Sequence, residues 1–237
     1  MITEKQFALG CSGFWQGLLP MLERHIRAVN VQVQRFAPPI VSSAPAASRG
    51  LVSELAFRLF VASVRTGLPI ADLPSDEIGG SVEAATTHIR RMRQLSRRPV
   101  PDPRSLELAE ATILAERHAR FFQRTEQLTL LPTFPGCGWL MECAGDVLSG
   151  ATLYEVKAGE RGFRSIDMRQ TLIYCALNFA AKRYDIAAVC LVNPRLGIVV
   201  EEDLEHLCGA ASGAPAVEVL AAIVEYCSES QERYQIG

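Results

Sequence analysis

Three residues of this chain have types and a spacing that could do hydrolytic chemistry: Asp146, Glu155 and Lys157. If TLYEVK is a strand, side chains alternate, so Leu153, Glu155 and Lys157 share one face while Tyr154 and Val156 take the other. The residues between Asp146 and Glu155 include a Ser149-Gly150 turn signal, so hairpin pairing would set the two carboxylates side by side. Adjacent carboxylates repel, and one is driven toward protonation unless a cation separates them. Mg2+ or Mn2+ relieves that repulsion with oxygen ligands, taking one or two carboxylates and leaving room for water and substrate phosphate. The Val156 carbonyl offers a further oxygen. An ammonium at Lys157 would orient the water or stabilise charge on the transferring phosphoryl group. These are the parts that phosphodiester hydrolysis requires. The structural alternative is a solvent-facing Glu155–Lys157 pair with Asp146 as an ordinary turn residue.

Asp146 followed by Glu155-Val156-Lys157 resembles the D…ExK signature of the PD-(D/E)XK nuclease superfamily, with Gly145 where the family name has Pro. Gln170 and Tyr174, four apart in RQTLIY, resemble the QxxxY helix motif of its RecB-like branch. The resemblance covers roughly residues 105–200. It implies an α/β, restriction-endonuclease-like core, an αβββαβ mixed sheet flanked by helices. It also implies a Mg2+- or Mn2+-dependent deoxyribonuclease working by metal-activated water. Asp146 and Glu155 would hold the metal, Lys157 and Gln170 would serve catalysis, and Tyr174 would support them. DNA would be the substrate, with restriction, antiviral defence or repair as the setting. A separate ATPase or helicase subunit is an admissible partner, since the chain has no phosphate-binding GxxxxGK[ST] loop, and a homodimer is equally admissible. A retired, partner-binding subunit and an RNA-processing nuclease are the rival readings.

Many such nucleases place a glutamate on the first core helix. On residues 105–124, Glu110 falls among Leu106, Ile113, Leu114 and Phe121 at 100° per residue, which makes it the candidate third metal ligand over Glu107 and Glu116. Arg117 on the same face would instead make it a structural pair. Glu54 is the rival if an earlier helix is the first core element. After the lysine, Gly159 and Gly162 permit close approach of a phosphate backbone, and Arg161, Arg164 and Arg169 supply charge for nucleic acid. Arg90, Arg91, Arg93, Arg97 and Arg98 form a second basic run, which also suits a solvated helix end.

The elements that must position these groups follow from periodicity and breakers. Residues 14–31, 50–66, 76–98 and 105–124 read as helices, with a Pro-rich loop at 36–48 and a VPDP break near residue 100. Residues 1–100 thus read as a helical N-terminal region, and 101–237 as the nuclease-like domain. Strand character appears at 128–134, 139–143 and 151–157. A helix N-capped by Asp167 runs to about residue 183, and Gln170 and Tyr174 share one of its faces. Met168, Leu172, Cys175 and Phe179 line the other side, so this helix should be sandwiched. Strands at 186–192 and 198–200 flank an NPRLG turn, and a last helix covers 216–228.

Composition limits the rest. A 49% hydrophobic content and a net charge of −2 describe an ordinary globular chain, not a basic nucleic-acid coat. No secretory signal is evident, and the longest apolar run, residues 186–192, is far short of the roughly 20 residues of a membrane span. A cytoplasmic protein with no membrane partner is expected. The seven cysteines are scattered without a CxxC pair and read as reduced, mostly buried thiols. The four histidines, His25, His88, His118 and His206, lack metal-ligand spacing and read as structural.

Overall fold

The computed structural model describes residues 1–92, 103–125 and 127–229. Arg93, Arg97 and Arg98 of the second basic run lie outside the described residues. Helices α1 (Glu4–Leu9), α2 (Ser12–Leu18) and α3 (Leu22–Gln32) open the chain, followed by the short strand β1 (Gln34–Arg35). The single helix expected over residues 14–31 is broken at Pro20, which lacks the N–H that would continue it. Helix α4 (Arg49–Thr66) ends at Gly67, whose φ of 71° is the left-handed cap that glycine adopts without strain. Helices α5 (Ser75–Met92) and α6 (Ser105–Phe122) follow.

The next region carries five short strands: β2 (Thr129–Leu130), β3 (Thr133–Phe134), β4 (Cys143–Ala144), β5 (Val147–Ser149) and β6 (Thr152–Val156). Helix α7 (Ser165–Ala181), strands β7 (Ala188–Asn193) and β8 (Ile198–Asp203), and helices α8 (Leu204–Ser212) and α9 (Ala216–Glu229) complete the chain. The strand expected over 128–134 is divided at Leu131-Pro132, where Leu131 has φ 52° and proline cannot donate to a ladder. The strand expected over 139–143 does not form; Leu140 makes isolated bridges to Ile2 and Cys137, and Cys143–Ala144 pairs with β3 in a separate two-stranded sheet.

The main sheet has the order β1-β8-β7-β6-β5-β2. It is mixed: β6 and β7 run parallel across the α7 crossover, and every other neighbouring pair is antiparallel. Strand alternation sends Leu153, Val189 and Leu191 into a core shared with α7 and the terminal helices. On the opposite face Val147, flanked by Tyr154 and Val156, meets Phe57 and Phe60 of α4 and Phe122 of α6. Helices therefore cover both faces of the sheet. Helix α7 is buried almost continuously from Ser165 to Asn178, as a sandwiched helix must be, and each fully buried Leu or Ile on it contributes about 1.5–3 kcal/mol.

The described residues before 93 share cores with those after 102. Phe7, Trp15 and Leu22 belong to the same core as Leu172 and Leu177 of α7. Strand β1 adds to the main sheet beside β8. The apolar faces of α1 to α3 are satisfied by elements from the C-terminal half, and α4 packs with α6. Among the described residues no single helix is long and apolar enough to cross a membrane.

The β1–β8 junction depends on Gly197, which has φ 64° and lies so close to Ala37 that an added Cβ would sit 2.0 Å from the Ala37 carbonyl oxygen. Gly197→Ala should therefore destabilise the protein by about 2–3 kcal/mol, read from urea unfolding midpoints. A change within error would show that the junction yields freely.

Candidate metal and phosphate site

The β5–β6 hairpin closes through a two-residue turn, with Ser149 opposite Thr152 and Gly150 at φ 52°. Its register pairs Val147 with Tyr154. Asp146, one residue outward, folds back so that its Oδ2 accepts a 2.7 Å hydrogen bond from the Val156 amide. Asp146 is thereby close enough to Glu155 for the Glu155 charge to oppose ionisation of its own carboxyl. Burial, and next the Glu155 charge, push the Asp146 carboxyl up to about 8, while Lys157 and Lys5 pull it down.

Glu155 and Lys157 share a face, as alternation requires. The Lys157 Nζ lies 2.6 Å from Glu155 Oε1 and 2.8 Å from Gln170 Oε1. Gln170 Nε2 then donates to the Tyr174 hydroxyl at 2.6 Å, and the Tyr174 ring stacks on Phe134. Glu155 is 3% exposed, so this is no solvent-facing pair. Burial would depress the Lys157 ammonium, but Glu155 and Asp167 outweigh it and hold the pKa above its ordinary value. Burial raises the Tyr174 phenol well above its normal range, so it stays a neutral hydrogen-bonding group.

The loop after Lys157 is held from three directions. Ser53 of α4 and Arg195 Nε of the β7–β8 turn both donate to the Ala158 carbonyl, at 3.1 and 3.0 Å. Asn193 Nδ2 donates to the carbonyls of Gly159 and Arg161. Asn30 of α3 clamps Phe163 through both backbone groups. Gly162 serves that clamp, since a Cβ there would lie 2.5 Å from Asn30 Oδ1; its close approach is to a side chain rather than to a phosphate backbone.

Two adjoining pockets open onto these groups. One, of about 250 Å³, is lined by Asp146, Val156, Glu54, His88 and Lys5. The other, of about 430 Å³, holds Lys157, Lys5, Arg49, Arg161 and Arg195. The cleft therefore lies between α4 and the C-terminal end of β6.

A divalent ion fits this donor set. Glu155 Oε2 is buried without a hydrogen-bond partner among the described residues, and Asp146 shows the raised carboxyl of a site short of positive charge. The oxygens are hard donors suited to Mg2+ or Mn2+. Among the described residues no group of three or more His, Cys, Asp or Glu converges. Such an ion would rest on Asp146 and Glu155, with water and substrate oxygen completing its shell.

Four expected site residues stand elsewhere or are otherwise engaged. Glu110 is buried as its wheel position required, but its carboxylate is enclosed by Ser42, Ser43, the Ala44 amide and Arg195 Nη1 at 2.7 Å. It is a structural anchor and not a metal ligand, and its cation is Arg195 rather than Arg117, which instead donates to the Pro38 and Pro194 carbonyls. The wheel misplaced the face: Leu106 and Ile113 are exposed, while Ala111, Leu114 and His118 point inward. Glu54, the rival, lines the cleft with Asp146. Arg161 lines the cleft but is committed to a bidentate pair with Asp167, at 2.6 and 2.9 Å. Asp167 is the third residue of α7 rather than its cap, and it accepts from the Arg164 amide. Arg169 turns away to lie over Trp15, 5.8 Å from the ring centroid, while Arg164 is exposed.

Lys5, Arg49, His88 and Arg195 were not foreseen as cleft residues. Burial lowers the pKa of His88, which stands 3.8 Å from Glu54. No local motif marks these residues, because each is brought in by a helix or turn distant in sequence. The seven cysteines are free thiols, four of them buried.

No protein-family profile matches the chain, and no curated protein or solved structure is significantly similar to it.

The hydrogen bonds around Glu110 outweigh its burial and hold its pKa down to about 2, against an ordinary 4.5. A depressed carboxyl stabilises the fold fully above its unfolded pKa and loses that contribution as pH falls through the folded one. Glu110→Gln should cost about 3 kcal/mol at neutral pH by leaving Arg195 buried without its charge partner. The gap to wild type should close between about pH 4.5 and pH 2. Denaturation curves across that range test this; a gap independent of pH would mean that the carboxylate charge contributes nothing.

Proposed function

We propose that the chain is a metal-dependent nuclease that hydrolyses DNA phosphodiester bonds, with a restriction-endonuclease-like core. The observation that carries this reading is the meeting of Asp146 with Glu155, and of Lys157 with Gln170, at the floor of a cation-lined cleft. The β2-β5-β6-β7 order, with α7 crossing from β6 to its parallel neighbour β7, supports the same reading. The absence of detectable relatives leaves it to stand on geometry and on the D…ExK and QxxxY resemblance.

A divalent ion held by Asp146 and Glu155 would lower the pKa of a water molecule and neutralise charge on the attacked phosphate. The remaining work falls to the chain's own groups. Lys157 stays charged and is fixed by Glu155 and Gln170, so its ammonium is preorganised toward the developing negative charge. Gln170 cannot rotate freely, because its amide nitrogen is engaged by Tyr174. Gln170 and Tyr174 are thus positioning residues, acting through Lys157. Lys5 and Arg49 draw the polyanionic substrate toward the cleft.

Purified protein should cut DNA in Mg2+ or Mn2+ and lose about 100-fold or more of that rate in Lys157→Ala and in Asp146→Asn. EDTA should abolish cutting. Cutting that survives both substitutions would sink the proposal, as would wild-type protein that neither cuts nor binds either metal.

The raised Asp146 carboxyl adds a second test. Below about pH 8 a metal must displace a proton to bind there, so apparent affinity should rise with pH up to that value. Calorimetry at pH 7 in buffers of different ionisation enthalpy should show about one proton released per ion. Asp146→Asn should release none. Equal heats in all buffers for wild type would show that the carboxyl pair already stands ionised.

A further inference from the structure

The larger pocket beside Lys157 has a composition that the metal site does not explain. Five of its lining residues are cationic, namely Lys5, Arg49, Lys157, Arg161 and Arg195, against one acidic residue, Glu160. Three of these cations have local partners: Lys157 has Glu155, Arg161 has Asp167, and Arg49 pairs with Glu160 at the rim. Lys5 makes no ion pair or hydrogen bond with a described residue, although it lines both pockets. Arg195 is 1% exposed, and its Nη2 is buried without an acceptor among the described residues. Its Nη1 lies 2.7 Å from Glu110 Oε1, so Nη2 is the nitrogen left over. A buried guanidinium nitrogen lacking an acceptor is costly, and the cheapest remedy in a cation-lined pocket is an anionic oxygen.

We propose that this pocket is a phosphate-binding subsite, separate from the Asp146–Glu155 metal site, that takes a tetrahedral phosphoryl group through Lys5, Arg49 and Arg195. Arg195 presents planar donors from the floor, fixed through Nε by the Ala158 carbonyl. Lys5 adds a point charge from α1, and Arg49 closes the rim by exchanging Glu160 for the ligand. As a feature of substrate binding, the subsite rests on the nuclease reading: it would hold a phosphate neighbouring the attacked one, so that a strand is gripped at two positions. As an anion site it stands independently, because none of its three ligands is a metal ligand.

The test is binding of inorganic phosphate to full-length, metal-free protein, followed by 31P line broadening and by the shift in thermal midpoint. Wild type should bind, and Asp146→Asn should bind no more weakly, since it takes away an acidic group and none of the three phosphate ligands. Lys5→Gln combined with Arg49→Gln should weaken binding by about tenfold or more. Both side chains reach solvent, so this variant keeps the fold even if Arg195→Lys does not. Trinucleotides with and without a 5′-phosphate separate two sources of the group. Equal affinity assigns an internal phosphodiester, and binding only of the phosphorylated form assigns a strand end; each outcome supports the subsite. Absence of phosphate binding by wild type, or binding unchanged in the double variant, would overturn it. Wild-type protein that binds phosphate but cuts no DNA in Mg2+ or Mn2+ would instead count against the nuclease reading alone.

Discussion

Two carboxylates forced together in partly dry surroundings repel each other, and the surrounding structure is arranged to bear that repulsion. The hairpin register brings Asp146 to Glu155, and the Val156 amide fixes one Asp146 oxygen. Lys157 supplies one compensating charge directly and Lys5 another from further off. Compensation is incomplete, as the raised Asp146 carboxyl and the lone Glu155 Oε2 both record. A satisfied ion-pair network would show neither feature. This separates Asp146 from Glu110, whose carboxylate is served by Ser42, Ser43, the Ala44 amide and Arg195, so that its pKa falls instead of rising.

Rigidity around the pair comes from elements far apart in the chain. Ser53, Asn30, Asn193 and Arg195 all hold the segment that follows Lys157, through backbone carbonyls and amides. A loop of that kind would otherwise be mobile, since Gly159 and Gly162 relax its backbone. Its conformation is set by its neighbours more than by its own sequence. The buried Glu110–Arg195 pair extends the same support: it ties α6 to the β7–β8 turn, from which Arg195 reaches the Ala158 carbonyl.

The legible part of the sequence was the part governed by short-range periodicity. Alternation along TLYEVK placed Glu155 and Lys157 on one face, and i,i+4 spacing placed Gln170 beside Tyr174; both relations are present. The sandwiched character of α7 followed from its two apolar stripes, although Phe179 near its end is exposed. What failed depended on long-range partners. The burial of Glu110 was legible, but its meaning was not, because Arg195 approaches from a turn 85 positions later. Arg169 read as a free cation because nothing local announces that Trp15 captures it, whereas the partner of Arg161, Asp167, stands six residues on and was read as a helix cap instead. Whether the segments before and after the proline-rich stretch near residue 100 share a core is likewise decided by packing between distant residues, as Phe7 and Leu172 show.

The sheet ends as economically as it begins. At one margin β1 covers only Ile198 and Val199 of β8, and at the other β2 is itself two residues long. Beyond β1 the strand β8 continues through the exposed Glu201 and Asp203, while Glu202 between them is held by His25. A second chain approaching to extend the ladder would meet either too few backbone groups to pair with or a row of like charges. The margins of the main sheet thereby discourage fibre-like growth through its ladder.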